Sequence, residues 1–138
     1  MWRLMVVDDN ERNVELLVEI LGDRAQCDVA YNGEDALVAY NRSIEKNAPY
    51  DIILLDIVMP GIDGLDVLKA IRAKEEARKI EIGRGVPVIM VTAYKEPFMD
   101  AFNKGCDDYI LKPVDPDKLV KKIEDKLSKH FSRPESEG

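Results

Sequence analysis

The chain has 138 residues, a net charge of −7, and 46% hydrophobic and 34% charged residues, the balance of one soluble globular domain. No apolar run nears the ~20 residues that a bilayer span needs, and the acidic balance argues against the basic stripe that direct nucleic-acid binding requires. Cys27 and Cys106 stand too far apart for a disulfide framework or a zinc spacing; they read as small buried groups of a reducing, cytoplasmic setting.

The first strand is expected at residues 3–7, too close to the start of the chain to leave room for a signal peptide. A helix follows, capped by Asp9 or Asn10. Its apolar stripe is Val14, Leu17, Val18 and Leu21, and Gly22 closes it. A short mixed strand is expected at 26–30. Gly33 leads into a second helix with Ala36, Leu37, Tyr40 and Ile44 on one face, ended by Asn47-Ala48-Pro49.

The third strand, 51–55, is apolar without alternation, as a strand covered on both faces should be. Met59-Pro60-Gly61 turns the chain, and Asp63 caps a helix through Leu65, Leu68 and Ile71. Residues 72–85 read as a long helix end and a loop around Gly83-Arg84-Gly85. The fourth strand is 87–91. A short helix holding Phe98, Ala101 and Phe102 is stopped by Gly105. The fifth strand is 109–111, and Asp115-Pro116 opens a last helix with Leu119, Ile123 and Leu127. Its lysines, between Lys118 and Lys129, are interleaved with Glu124 and Asp125 and read as a solvated face. The expected organisation is one domain over 1–131 and a polar tail over 132–138.

Alternating strands and helices imply an α/β fold: a doubly wound parallel sheet, (βα)5, helices on both faces. The flavodoxin-like strand order 2-1-3-4-5 sets the first and third strands side by side at the switch point, where open sheets bind ligands. The apolar runs end in Asp8-Asp9, Asp56, Thr92 and Lys112, so these groups gather at one carboxyl edge.

Three carboxylates in one pocket repel one another by about 4 kcal/mol per pair at 4 Å. A divalent cation makes sense of them, and all-oxygen donors without His or Cys favour Mg2+, with Mn2+ the alternative. Helix capping accounts for only one of Asp8 and Asp9 and leaves Asp56 unexplained. Lys112 and Thr92 suit phosphoryl oxygens, and Asp56 can attack phosphorus to give an aspartyl-phosphate.

The blocks Asp8-Asp9-Asn10, Asp56-Ile-Val-Met-Pro-Gly-Ile-Asp-Gly64, Val91-Thr92-Ala93 and Tyr109-Ile-Leu-Lys112-Pro113 resemble, in order, the motifs of a response-regulator receiver domain. The resemblance runs from about residue 3 to about residue 128. It implies a two-component signalling module and no enzyme beyond its own Mg2+-dependent phosphorylation and dephosphorylation. It implies Asp56 as phosphoacceptor from a histidine kinase or histidine phosphotransfer protein. Asp9, Asp56 and the Val58 carbonyl would hold Mg2+, with Asp8 acting through water. Lys112 would hold the phosphoryl group, with a cis Lys112–Pro113 bond. Thr92 and Tyr109 would form a switch pair that reshapes the face of helix four, strand five and helix five for an unknown output protein or for homodimer formation. On its residues alone, Tyr109 reads as a plain strand aromatic.

In similar domains Val58 and Tyr94 flank the path of the hydrolytic water. Neither side chain orients water, so slow phosphate loss is expected. Two other classes fit less well. A haloacid-dehalogenase phosphatase needs an acid where Val58 stands, and a flavodoxin needs a Ser/Thr/Gly-rich loop where Asp8-Asp9-Asn10 would repel phosphate. A receiver fragment of a hybrid kinase or larger regulator, and a non-phosphorylated interaction module, are the alternatives within the fold.

Overall fold

Continuous apolar runs become the central strands here because each is covered on both faces. The computed structural model describes residues 1–131; the expected polar tail, 132–138, lies outside them. Strands β1 (Trp2–Val7), β2 (Ala25–Ala30), β3 (Ile52–Leu55), β4 (Val88–Thr92) and β5 (Asp108–Leu111) form one parallel sheet in the order β2-β1-β3-β4-β5. Between and after them run α1 (Glu11–Leu21), α2 (Gly33–Glu45), α3 (Gly64–Ala77), α4 (Phe98–Asn103) and α5 (Pro116–Phe131). The expected doubly wound, flavodoxin-like fold and its strand order are what the chain forms.

Alternation along each strand divides one apolar run between two cores. Met5, Val7, Ile53, Leu55, Val88 and Met90 face Ala36 and Tyr40 of α2, Val67, Leu68 and Ile71 of α3, and Ala101 of α4. Leu4, Val6, Ile52, Leu54, Ile89 and Val91 face Val14, Leu17 and Leu21 of α1 and Leu119, Ile123 and Leu127 of α5. Each fully buried aliphatic side chain contributes about 1.5–3 kcal/mol. Val18, expected in the α1 stripe, is exposed instead: the helix needs only the narrower row of Val14, Leu17 and Leu21 to cover its side of the sheet.

Caps set where the helices begin. Asn10, rather than Asp9, accepts from Arg12 N and Asn13 N at the start of α1. Asp63 and Asp66 form a reciprocal capping box at the start of α3. Asp115 Oδ1 accepts from Asp117 N and Lys118 N ahead of α5. Gly22 and Gly105 stop α1 and α4 at φ +52° and +106°, where a glycine is least strained.

Candidate functional site

Register brings the acids together. Val7 of β1 pairs with Leu55 of β3, so the next residues, Asp8 and Asp56, leave the sheet side by side. Asp56 N donates to the Val7 carbonyl at 2.9 Å and Asp8 N to the Ala30 carbonyl at 3.1 Å, which fixes both backbones. On the other side Thr92 of β4 pairs with Leu111 of β5, and Lys112 follows. The Lys112 amide donates to the Thr92 carbonyl at 2.8 Å.

Oxygens of Asp8, Asp9 and Asp56 lie within 4.8 Å of one another. Asp8 and Asp56 are buried, and Asp9 is exposed at the rim. Lys112 Nζ donates to Asp8 Oδ2 at 2.7 Å and to Asp56 Oδ2 at 3.1 Å. Burial works against the Lys112 ammonium, but its hydrogen bonds to Asp8 and Asp56 outweigh this and hold its pKa above the ordinary lysine value. The remaining carboxylate oxygens are aimed by backbone: Asp8 Oδ1 accepts from Asn10 N at 2.9 Å, and Asp56 Oδ1 from Ile57 N at 2.7 Å.

One ammonium faces three carboxylates, so the cluster keeps a formal charge of about −2 that its own residues leave uncompensated. An all-oxygen donor set of this kind fits a hard divalent cation such as Mg2+. Thr92 is fully buried, and its Oγ1 is the only buried side-chain polar atom among the described residues without a hydrogen-bond partner. Such an orphan hydroxyl costs stability unless a ligand completes it.

Tyr109, in β5, donates its hydroxyl to the Tyr94 carbonyl in the loop after β4. Its ring packs edge-on against Phe98 of α4, with centroids 5.3 Å apart. Val58 and Tyr94 are about half exposed, at 51% and 48%. The Lys112–Pro113 bond is cis. The structure thus gathers Asp8, Asp9, Asp56 and Lys112 into one cluster, with Thr92 close by at the same sheet edge; Val58 lies in the loop after β3, and Tyr109 reaches the segment after Thr92.

Spacing does not single out Gly64, yet the backbone that carries Asp56 leaves no room for a side chain there. A Cβ there would stand 2.1 Å from the Asp56 carbonyl oxygen and 2.8 Å from Ile57 Cα. Gly64 N donates to the Ile57 carbonyl at 2.7 Å. The start of α3 therefore lies directly on the backbone that presents the Asp56 carboxylate. The glycine in the block 56–64 is the sequence signal for this close approach.

The comparisons with known proteins agree with the geometry. Residues 4–124 match the family model described as the response regulator receiver domain. The chain is 37% identical over 124 residues to the transcriptional regulatory protein ResD of Bacillus subtilis, covering 88% of this chain and 46% of that protein. It is 34% identical over 142 residues to the hybrid signal transduction histidine kinase I of Dictyostelium discoideum, covering 97% of this chain and 8% of the kinase. It therefore spans less than half the length of either relative. Among solved structures it is similar to the response regulator protein TrrA from Thermotoga maritima in complex with Mg(2+)-BeF, at 35% identity and a TM-score of 0.74, over 91% of this chain and 99% of that one.

Proposed function

The chain belongs to the response regulator receiver domain family, a signalling module of two-component systems, and we propose that it takes a phosphoryl group on Asp56. The observation that carries this is the Asp56 carboxylate, 7% exposed at the end of β3, with a lysine ammonium 3.1 Å from the same oxygen that would attack.

In the proposed reaction an Asp56 oxygen forms a bond to phosphorus while the bond from phosphorus to the donor's imidazole nitrogen breaks. Asp9, Asp56 and the Val58 carbonyl would hold Mg2+, with Asp8 supporting it through water. The bound ion would supply charge compensation for the phosphoryl oxygens. Lys112 exchanges its contact with Asp56 for one with a phosphoryl oxygen, and the Thr92 hydroxyl, which lacks a partner, donates to another. The TrrA complex with Mg(2+)-BeF supports this reading by analogy.

Thr92 and Tyr109 would carry the event outward. Drawing the Thr92 hydroxyl towards Asp56 changes the space beside the loop whose Tyr94 carbonyl holds Tyr109. The face of α4, β5 and α5 then shifts between two arrangements. That face would dock an output protein or a second copy of the chain. The donor would be a histidine kinase or phosphotransfer protein, meeting the groove of about 400 Å3 that Leu16, Leu17, Pro113 and Val114 line beside Lys112. The proposed unit is 1–131, at work in the cytoplasm; none of the described helices is long and apolar enough to cross a membrane.

Incubation with a small phosphodonor and Mg2+, read by mass spectrometry, tests the reaction. Gain of one phosphoryl group by the wild type and none by Asp56→Asn is the expected result. Equal gain by both would remove Asp56 as the acceptor.

A further inference from the structure

A second charged cluster lies at the opposite edge of the sheet, around Arg72 of α3. Arg72 Nε and Nη2 both donate to the Gly105 carbonyl, at 3.0 and 2.8 Å. Nη2 also donates to Asp107 Oδ2 at 3.0 Å. Nη1 donates to Glu75 Oε1 at 2.7 Å and to the Val86 carbonyl at 2.9 Å. Both acids are used again: Glu75 Oε2 accepts from Val86 N at 2.7 Å, and Asp107 Oδ2 from Val88 N at 2.8 Å.

One guanidinium thus joins the end of α3, the loop before β4 and the turn between α4 and β5. Only a planar fork with several fixed donors makes all these bonds at once. The surroundings leave no slack. A Cβ at Gly85 would fall 2.1 Å from Glu75 Oε1, and one at Gly105 would fall 3.1 Å from Arg72 Nε. This network holds the two ends of the stretch 72–86 together, through Arg72 and Glu75 on one side and Val86 on the other.

The two ends of α4 differ sharply. At its start Pro97 offers no side-chain cap, Met99 is exposed, and Phe98, itself partly exposed, is held by ring contacts to Phe102 and Tyr109 with centroids 4.8 and 5.3 Å away. Ala101 is the helix's one buried residue. At its finish Gly105 N donates to the Phe102 carbonyl and Cys106 N to the Ala101 carbonyl, and Arg72 holds the Gly105 carbonyl from the other side. A helix bonded by a guanidinium at one end and resting on ring contacts at the other pivots about the bonded end.

We propose that Arg72 is a positioning residue that pins the C-terminal end of α4, so that along α4 and the turns at its two ends the conformational response to phosphorylation at Asp56 is confined to residues 93–99 and does not reach 104–107. The inference rests on the phosphoacceptor reading above. The end of α4 without the guanidinium bonds follows the segment that holds Thr92 and Tyr94, so the signal enters at the end that Arg72 does not hold.

The test is residue-resolved amide hydrogen exchange by NMR, for the wild type and Arg72→Lys, with and without Mg2+ and beryllofluoride. In the wild type the beryllofluoride-induced change is expected at 93–99 and absent at 104–107. In Arg72→Lys, exchange at 104–107 is expected to rise about tenfold or more without ligand, since several charge-assisted bonds are lost, and the ligand-induced change is expected to spread into those residues. Unchanged exchange at 104–107 in Arg72→Lys, or wild-type changes there as large as at 93–99, would overturn the proposal. Should Arg72→Lys fail to fold, Asp107→Asn carries the same test, because it keeps an acceptor for Val88 N and removes the charge facing Arg72. A response at Ile57 with the wrong distribution along α4 sinks the anchor alone. No response at Ile57 in any variant sinks the phosphoacceptor reading and the confinement with it.

Discussion

The Lys112 ammonium stands 3.1 Å from the Asp56 carboxylate, a contact made across 56 positions of sequence. The same nitrogen also holds Asp8 at 2.7 Å, so one cation offsets the repulsion of two buried acids.

Replacing that cation has a conditional cost. Lys112→Met leaves Asp8 and Asp56 buried without their counter-charge, and is expected to destabilise the metal-free protein by roughly 3 kcal/mol. Mg2+ supplies the missing charge, so the stabilisation that Mg2+ brings should be larger in Lys112→Met than in the wild type. Urea unfolding with and without Mg2+ measures both. An equal Mg2+ effect in the two proteins would mean that the cation does not sit with these acids.

Gly64→Ala should be costly despite the small change. Its methyl group would sit 2.1 Å from the Asp56 carbonyl oxygen, which is backbone and cannot swing aside. A loss of roughly 2–3 kcal/mol is expected, with slower phosphorylation because α3 must lift from the segment that aims Asp56. A Gly64→Ala protein as stable and as quickly phosphorylated as the wild type would refute the close-packing argument.

Val58 and Tyr94, both half exposed, carry no group that orients an attacking water. The phosphorylated protein should therefore lose its phosphate slowly, over minutes or longer. Placing an amide and a carboxylate there, in Val58→Asn/Tyr94→Glu, should shorten the lifetime about tenfold or more, within the usual range for a positioned base. Decay of the intact phosphoprotein mass gives the answer; a wild-type lifetime of seconds would be decisive against it.

Stability should fall in alkali. Burial, with Asp107 and Asp108 adding to it, has the Cys106 thiol pushed up to about 12 from an ordinary value of 9.0. Burial also raises Tyr50 above its ordinary 10.0, helped by the hydrogen bond its hydroxyl donates to Asp28 at 2.7 Å. For acids whose folded pKa is raised, the unfolded chain releases its protons first as pH climbs. Their contribution is whole below the unfolded values and is lost as pH rises through the folded ones. The urea midpoint should drop progressively above about pH 9, and a flat profile to pH 11 would contradict the assignment.

Much of this was legible in the chain itself. Four apolar runs without alternation name a sheet covered on both faces, and the polar residue that ends each run names the edge where chemistry gathers. Register does the rest, since Val7 opposite Leu55 places Asp8 beside Asp56. The stretch from Arg72 to Val86 was opaque for a physical reason. Periodicity reports apolar faces, whereas the ends of this segment are tied by bonds from one arginine to residues 14, 33 and 35 positions away. Val18 misled for the opposite reason: it fits the helical period but points beyond the row that the sheet can cover.

Because Asp8, Asp56, Thr92 and Lys112 come from four different strand ends, no fragment that lacks one of those strands holds the whole cluster. On the proposed phosphoacceptor reading, labelling of Asp56 becomes a reporter of assembly: a nick, truncation or permutation that unpairs β1, β3, β4 or β5 is expected to silence it, and recovered labelling to show that these four strands are paired again.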